Sequence, residues 1–340
     1  MTTRAEALAR LSQQPDTVQP GLVYVVEAFR PEDAEAVCDL FYRVYQDAYP
    51  VDMYYIPDAV RGAVAEGALY PVVARLAGGE VIGFAALYRS SPPFAGLLEF
   101  GLGMVHPAYR GSLILFHLTT ELMDLMNSLP SVEAVYGEAV CDTIITQHSS
   151  ALFGFREVAL ELELMPGGGS GRISCLAVFR NIRDRRRTLH APAFCAGELG
   201  KLLAWAELDR EVVALGEESL AAQATRLEVQ TFAHAGVMRG NVYSLSGDGA
   251  AAMRQAEAAA AEQGCRVFQW FLNLAEPSAA AGAWPLARNG YRLGGLMPRW
   301  FDDDALLMQK LLDPPAVERI NLYSDRAREI QAMTLAEPAL

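Results

Sequence analysis

The residues best placed to do chemistry lie in one stretch, Met104-Val105-His106-Pro107-Ala108-Tyr109-Arg110-Gly111-Ser112, which leads from an apolar strand into an amphipathic helix. A strand ending at Val105, and a proline that breaks its ladder, would deliver Arg110 and the amides of Gly111 and Ser112 to a helix start. Unpaired N–H groups there, with the positive end of the helix dipole, make a seat for a phosphate or pyrophosphate. Upstream, Glu99 is the one carboxylate in Leu97-Leu98-Glu99-Phe100-Gly101-Leu102. Desolvation in an apolar strand would raise its pKa, which suits a general base. A place on the solvent face or at a hairpin end would instead leave it inert. Gly101 and Gly103, two apart on one face, would admit a ligand close to the backbone or mark a bulge. Further along, Asp142-Thr143-Ile144-Ile145-Thr146-Gln147-His148-Ser149 gathers polar groups on one helix. His148 there is a candidate acid–base, with a purely structural role as the alternative. His106 reads as a surface residue.

Placing these groups takes alternating strands and helices. Residues 22–29 read as a first strand, and Pro31-Glu32-Asp33 opens a helix with Ala36, Val37, Leu40, Phe41 and Val44 at helical spacing. A helix over 58–66 follows, then strands 70–75 and 80–88 joined through Gly78-Gly79, strand 97–105 and helix 112–128. Strand 132–140, helix 143–153, strand 155–165, a turn Pro166-Gly167-Gly168-Gly169-Ser170 and strand 173–179 come next. Arg183-Asp184-Arg185-Arg186-Arg187 reads as part of a solvated linker, 183–193, between domains 1–182 and 194–340; contact with cofactor phosphates is the alternative. Beyond it the pattern partly repeats: helix 194–207, strands 224–233 and 236–245, helix 249–262, strand 265–274, helix 279–289, strands 291–296 and 305–312, and helix 324–333.

The order strand, V-x-P-x-Y-R-G from Val105 to Gly111, helix closely resembles the acyl-CoA-binding segment of the GNAT superfamily of N-acetyltransferases. The expected order β-α-α-β-β-β-α-β-α-β-β over the first 180 or so residues is also that of the family. This resemblance implies acetyl-CoA or another acyl-CoA as cofactor, seated by Arg110, Gly111, Ser112, Leu113, Ile114 and Leu115. It further implies that the backbone at Met104 and Val105 polarises the thioester carbonyl. Acyl transfer needs a deprotonated amine, a positioned thioester, a donor to the oxyanion and a thiolate that leaves. Glu99, eleven residues before Arg110, matches the spacing at which many of these acetyltransferases carry their base. Three positions depart from the pattern. Leu113 and Leu115 stand at the later glycines of the family's Q/R-x-x-G-x-G/A turn. Ser150 stands where relatives carry the acidic Tyr of Y-x-x-x-G-F, ahead of Gly154-Phe155. Thr146-Gln147, Gly295-Leu296-Met297-Pro298 and the D-x-L-x-x-Q run from Asp304 to Gln309 are similar to bacterial two-domain members. In the second half, Val242-Tyr243-Ser244-Leu245-Ser246-Gly247-Asp248 replaces the phosphate turn. The fold expected is therefore α/β (α+β mixed sheet), with tandem GNAT-like domains whose second copy is degenerate.

Composition narrows the partners. The 340 residues carry a formal net charge of −13, which argues against nucleic acid. An acidic surface would steer a cationic amine, or would serve solubility alone. No run of eighteen uncharged apolar residues is present, so no membrane span is expected. The N-terminus lacks the apolar core of a signal peptide, so a cytoplasmic location is expected. Five scattered cysteines read as buried thiols rather than disulfides or a zinc site. Asp302-Asp303-Asp304 lacks the spacing of a calcium loop and reads as a turn, beside which Arg299, Trp300 and Phe301 could line a pocket. The reading reached is an acyl-CoA-dependent acyltransferase acting on the amine of a small molecule. The alternatives are a non-catalytic acyl-CoA sensor or interaction protein, and other thioester chemistry on the same fold. Assembly into homo-oligomers is compatible with each.

Overall fold

A computed structural model describes residues 2–167, 171–217 and 222–340; Gly168, Gly169 and Ser170 of the expected glycine turn lie outside the described residues. The chain forms two compact units, Met1–Ser91 with Leu98–Val132, and Pro92–Leu97 with Glu133–Leu340.

The first unit opens with helix α1 (Arg4–Ser12), where Thr3 and Glu6 form a reciprocal capping box. This helix has no counterpart in the sequence reading, because it buries only Ala7 and Leu11 and so carries a weak apolar pattern. Strand β1 (Tyr24–Ala28), helices α2 (Ala34–Tyr45) and α3 (Pro57–Ala65), and strands β2 (Leu69–Leu76), β3 (Val81–Tyr88) and β4 (Leu97–Val105) follow, then helix α4 (Ile114–Ser128). The four strands pair antiparallel in sequence order. Helices α1 to α3 cover one face of them, over a core that includes Phe41, Tyr54, Tyr55, Val73, Phe84 and Met104. Helix α4 packs along β3, β2 and β1.

The second unit contains β5 (Ala134–Val140), α5 (Ile145–Leu152), β6 (Arg156–Pro166), β7 (Arg172–Asn181), β8 (Arg187–Pro192), α6 (Ala196–Trp205) and β9 (Arg210–Leu215). It continues with β10 (Arg226–Phe232), β11 (Val237–Ser244), α7 (Gly249–Glu262), β12 (Val267–Asn273), α8 (Pro277–Ala281), α9 (Ala283–Arg288), β13 (Arg292–Met297), β14 (Ala305–Leu311) and α10 (Asp325–Leu335). Its sheet runs β5-β7-β6-β13-β14-β12-β11-β10. The triplets β5-β7-β6 and β13-β14-β12 are mirror orders of one another, and each is antiparallel throughout. They meet where Gly295 pairs with Ala159. Gly295 has φ +138°, and a Cβ there would lie 2.5 Å from the Ala159 Cα, so only glycine fits the join.

The run at 183–187 differs from a solvated linker. Arg187 begins strand β8, which pairs parallel with β9, and its side chain is 6% exposed. It meets Asp302 at 2.9 Å and Asp303 at 3.2 Å, Arg185 meets Asp302 at 2.7 Å, and Arg210 meets Asp184 at 2.8 Å and Asp304 at 2.5 Å. The three aspartates thus answer buried arginines. Arg299 is itself buried, and Trp300 stacks on Phe271 with ring centroids 3.9 Å apart. Among the described residues no cluster of His, Cys, Asp and Glu is arranged to hold a metal ion, and no helix is long and apolar enough to cross a membrane.

Candidate active site

The expected sites of greatest interest lie on β4 and the turn after it. Strand β4 is regular to Gly101, which faces Ala86, and regular again from Met104, which faces Phe84. Between them the register slips by one residue, with Leu102 at φ +57°. A bulge of this kind reverses the alternation of side chains. Gly101 consequently faces Tyr88, whereas Gly103 faces Leu115 of α4. The two glycines share no face, in contrast to the expected spacing. Met104 is buried in the core shared with α2.

Glu99 is 9% exposed, so it is off the solvent face, and it stands at the hairpin end, in the last pair of the β3–β4 ladder opposite Tyr88. The Tyr88 hydroxyl donates to Glu99 Oε1. Aromatic rings crowd this face of the unit. Phe41 stacks on Tyr54 at 4.4 Å between centroids, and Tyr49 lies 5.2 Å from Phe41 and 5.0 Å from Tyr45. Burial pushes the phenols of Tyr49 and Tyr54 well above their ordinary value, with neighbouring tyrosines and the Glu99 charge adding to it.

The turn is held from beneath. Pro107–Tyr109 is a single 3-10 turn, and His106 Nδ1 accepts the Ala108 N–H at 3.2 Å. His106 is 2% exposed, which corrects the surface reading: it packs under the N-terminal segment, with Asp16 Oδ2 3.4 Å from Nε2. Burial lowers its pKa, and Asp16 opposes that shift. Tyr109 is clamped by the same segment, donating to Gln19 O at 2.6 Å and accepting from the Leu22 N–H at 3.1 Å.

Beyond this anchor the chain is open. Arg110 is exposed and makes no ion pair with the described residues; its charge lowers the Tyr45 phenol against the larger upward effect of burial. Gly111 turns at φ +82° with nothing within 4 Å of a would-be Cβ. Helix α4 starts at Ile114, two residues later than expected, with Leu113 as a cap that supplies no side-chain bond. Ser112 Oγ accepts the Ile114 N–H at 3.4 Å. Among the described residues, the N–H groups of Gly111, Leu113 and Leu115 find no acceptor. Leu113 points outward at 65% exposure. Leu115 occupies the space over Gly103, with Cδ1 3.0 Å from where a Cβ would stand. A free arginine and unclaimed amides at a helix start suit a pyrophosphate, so these residues fit an acyl-CoA; the two leucines narrow its approach.

His148 and Ser150 belong to the second unit. His148 is exposed, its ring 4.7 Å from Tyr323, and Ser150 Oγ donates to Thr146 O at 2.9 Å. Their neighbour Gln147 is buried and binds two other stretches of chain, donating to Asn321 O at 2.8 Å and Val140 O at 3.3 Å and accepting from the Tyr323 N–H at 3.0 Å. That clamp explains a glutamine at this position, and its partner segment is too distant in sequence to be read locally.

The second copy lacks an open helix start. Ser246 and Thr225 donate to Asp248, and the first amides of α7 bond to Ser246 and Asp248 carbonyls. Strands β11 and β12 pair parallel from Val237↔Val267 to Val242↔Leu272, and the Trp270 ring lies directly over Gly240.

No family model matches this chain, and no curated protein matches it. Among solved structures, it resembles the ribosomal-protein-S5-alanine acetyltransferase of Vibrio fischeri at 13% identity, over 46% of this chain and 92% of that one, with a TM-score of 0.39. An N-acetyltransferase from Staphylococcus aureus Mu50 is similar at 14% identity, over 47% and 98%, with a TM-score of 0.40. The spermidine N-acetyltransferase of Vibrio cholerae, solved with CoA and spermine, is similar at 13% identity, over 46% and 95%, with a TM-score of 0.38. The solved structures this chain resembles are thus N-acetyltransferases that match about half of it.

Proposed function

We propose that this protein is an acyl-CoA-dependent N-acyltransferase, using acetyl-CoA and acting on the amine of a small molecule. The observation that carries the reading is the pairing, on one bulged strand, of a buried carboxylate with an unclaimed anion seat eleven residues later. When bound, the acyl-CoA supplies an activated thioester; the remaining work falls to the chain. Arg110 and the Gly111, Leu113 and Leu115 amides would grip the pyrophosphate. The bulge at Leu102 would fix the line of the backbone beneath the cofactor arm. Glu99 would take the proton from the acceptor ammonium, leaving a nucleophilic nitrogen, while the Tyr88 hydroxyl holds the carboxylate in place. Ser150 already donates to Thr146, so the reading asks no proton of it.

One observation favours a second reading. Leu115 over Gly103 crowds the strand where a cofactor would lie, as suits an acyl-CoA sensor without turnover. Calorimetric titration with acetyl-CoA and longer acyl-CoAs, followed by turnover against a panel of primary amines, separates the two. Binding with turnover supports the enzyme, and binding without turnover supports the sensor. Absence of any binding removes both.

A further inference from the structure

The second unit contains a recess with a volume of about 260 Å3 where the β6–β7 end meets the chain at 313–319, and a neighbouring one of about 180 Å3 shares its walls. In a chain of net charge −13, three arginines line these spaces: Arg172, Arg266 and Arg319. Arg172 is held by backbone alone. Its Nε donates to Glu163 O at 2.7 Å, and its Nη2 donates to Ala235 O at 2.7 Å and to Leu164 O at 3.4 Å.

Neither Arg172 nor Arg319 has an ion pair among the described residues. Of the facing carboxylates, Asp313 is taken by Arg266 Nε at 2.7 Å, and Glu163 Oε1 accepts the Ala316 N–H at 2.9 Å. Asp142 is the other acid on the wall. Burial lowers the Arg172 pKa, the proximity of Arg266 adds to this, and Glu163 opposes it. Three arginines thus face three carboxylates across these walls, and Arg172 makes no direct ion pair with any of them among the described residues.

A second feature points the same way. Glu163 has φ +54° at a register slip of β6 between Glu161 and Met165, and its strained backbone aims the carbonyl that orients Arg172. With Nε and Nη2 held by carbonyls, Nη1 is left as a fixed, charged donor for an oxygen of an anion.

We propose that this recess binds a small oxyanion, a phosphate ester or a carboxylate, with Arg172 Nη1 as its fixed charged donor and Arg319 as its second cation. The site stands independently of the acyltransferase reading. The test uses the full-length chain at constant ionic strength, titrated calorimetrically with inorganic phosphate and, separately, with citrate, with sodium chloride as control. Saturable binding of either anion is expected, and which one binds identifies the chemistry. Arg319→Ala should weaken it about tenfold, the equivalent of one charged hydrogen bond. Arg172→Gln should abolish it. If circular dichroism shows that variant unfolded, Arg172→Lys, which keeps the charge and loses the carbonyl-held geometry, should weaken binding instead. Arg326→Ala should leave binding unchanged. Failure of both anions to saturate, unaltered affinity in Arg319→Ala, or loss of binding in Arg326→Ala would each overturn the proposal.

Discussion

Leu102 holds a backbone conformation that costs a branched residue about 1–3 kcal/mol, and it does so between the proposed base and the proposed anion seat. Strain of this kind persists where the surroundings over-determine it, and here the core beneath Met104 and the β3 ladder do so. Two predictions belong to single side chains. Arg110→Ala should weaken acetyl-CoA binding by about 1.5–3 kcal/mol, the range for a charged hydrogen bond, as read by calorimetry. An unchanged dissociation constant would make the turn purely structural. Glu99→Gln should lower turnover about 10²–10⁴-fold while leaving acyl-CoA affinity nearly intact, because the amide keeps the shape and loses the basicity. A variant that retained the acidic limb of the pH–rate profile would place the base elsewhere. Glu99 and Arg110 were legible because strand and turn chemistry are local. The bulge was one of two readings of Gly101 and Gly103 and is found between Gly101 and Met104; that its positive φ falls on Leu102 was not legible, since a leucine in that conformation has no sequence signature. That slip also explains why Gly101 and Gly103 parted faces.

Among elements, the 106–109 turn gains its rigidity from His106 and Tyr109, both clamped to residues 16–22. Burial of neutral His106 gives the turn a pH dependence whose sign can be worked out. Its folded pKa is depressed, so between that value and the ordinary histidine pKa of about 6.5 the unfolded chain binds more protons. Stability contributed by neutral His106 is then present above the ordinary pKa and is lost as pH falls towards the folded one. His106→Asn should flatten this part of the slope in thermal unfolding measured from about pH 5 to pH 7. A slope unaltered by the substitution would assign it to carboxylates. Most strands were readable as apolar runs. Strands β8 and β9 were not, because arginine-rich sequence reads as solvated when its counter-charges, Asp302, Asp303 and Asp304, lie more than ninety residues away.

For the whole molecule, the contrast between helix starts predicts stoichiometry. At α7 the Gly249, Ala251 and Ala252 amides bond backbone carbonyls and two hydroxyls meet the Asp248 carboxylate, whereas at the start of α4 the Gly111, Leu113 and Leu115 amides find no acceptor among the described residues, so acetyl-CoA should titrate to one equivalent per chain. Two equivalents would show that the second copy retains a cofactor site. The mirrored triplets also limit how the chain can be divided. Strand β6 pairs with β13 as well as with β7, so a cut near residue 182 would expose a long strand edge. A partial repeat was legible from the recurring element order. The mirror was not, because only pairing partners reveal it.

The clamp of Gln147 on Asn321 and Tyr323 ties residues separated by 174 and 176 positions of synthesis. Ser324 Oγ adds a bond to Glu157 Oε1 at 2.7 Å, and α10 then packs on β6 and β13. A ribosome therefore releases most of the second unit before the piece that completes the first triplet has left the exit tunnel. Until then, the buried side of α5 and the outer face of β6 stay uncovered in the nascent chain. Premature termination a few codons before Asn321 would leave a polypeptide suited to chaperone retention or degradation.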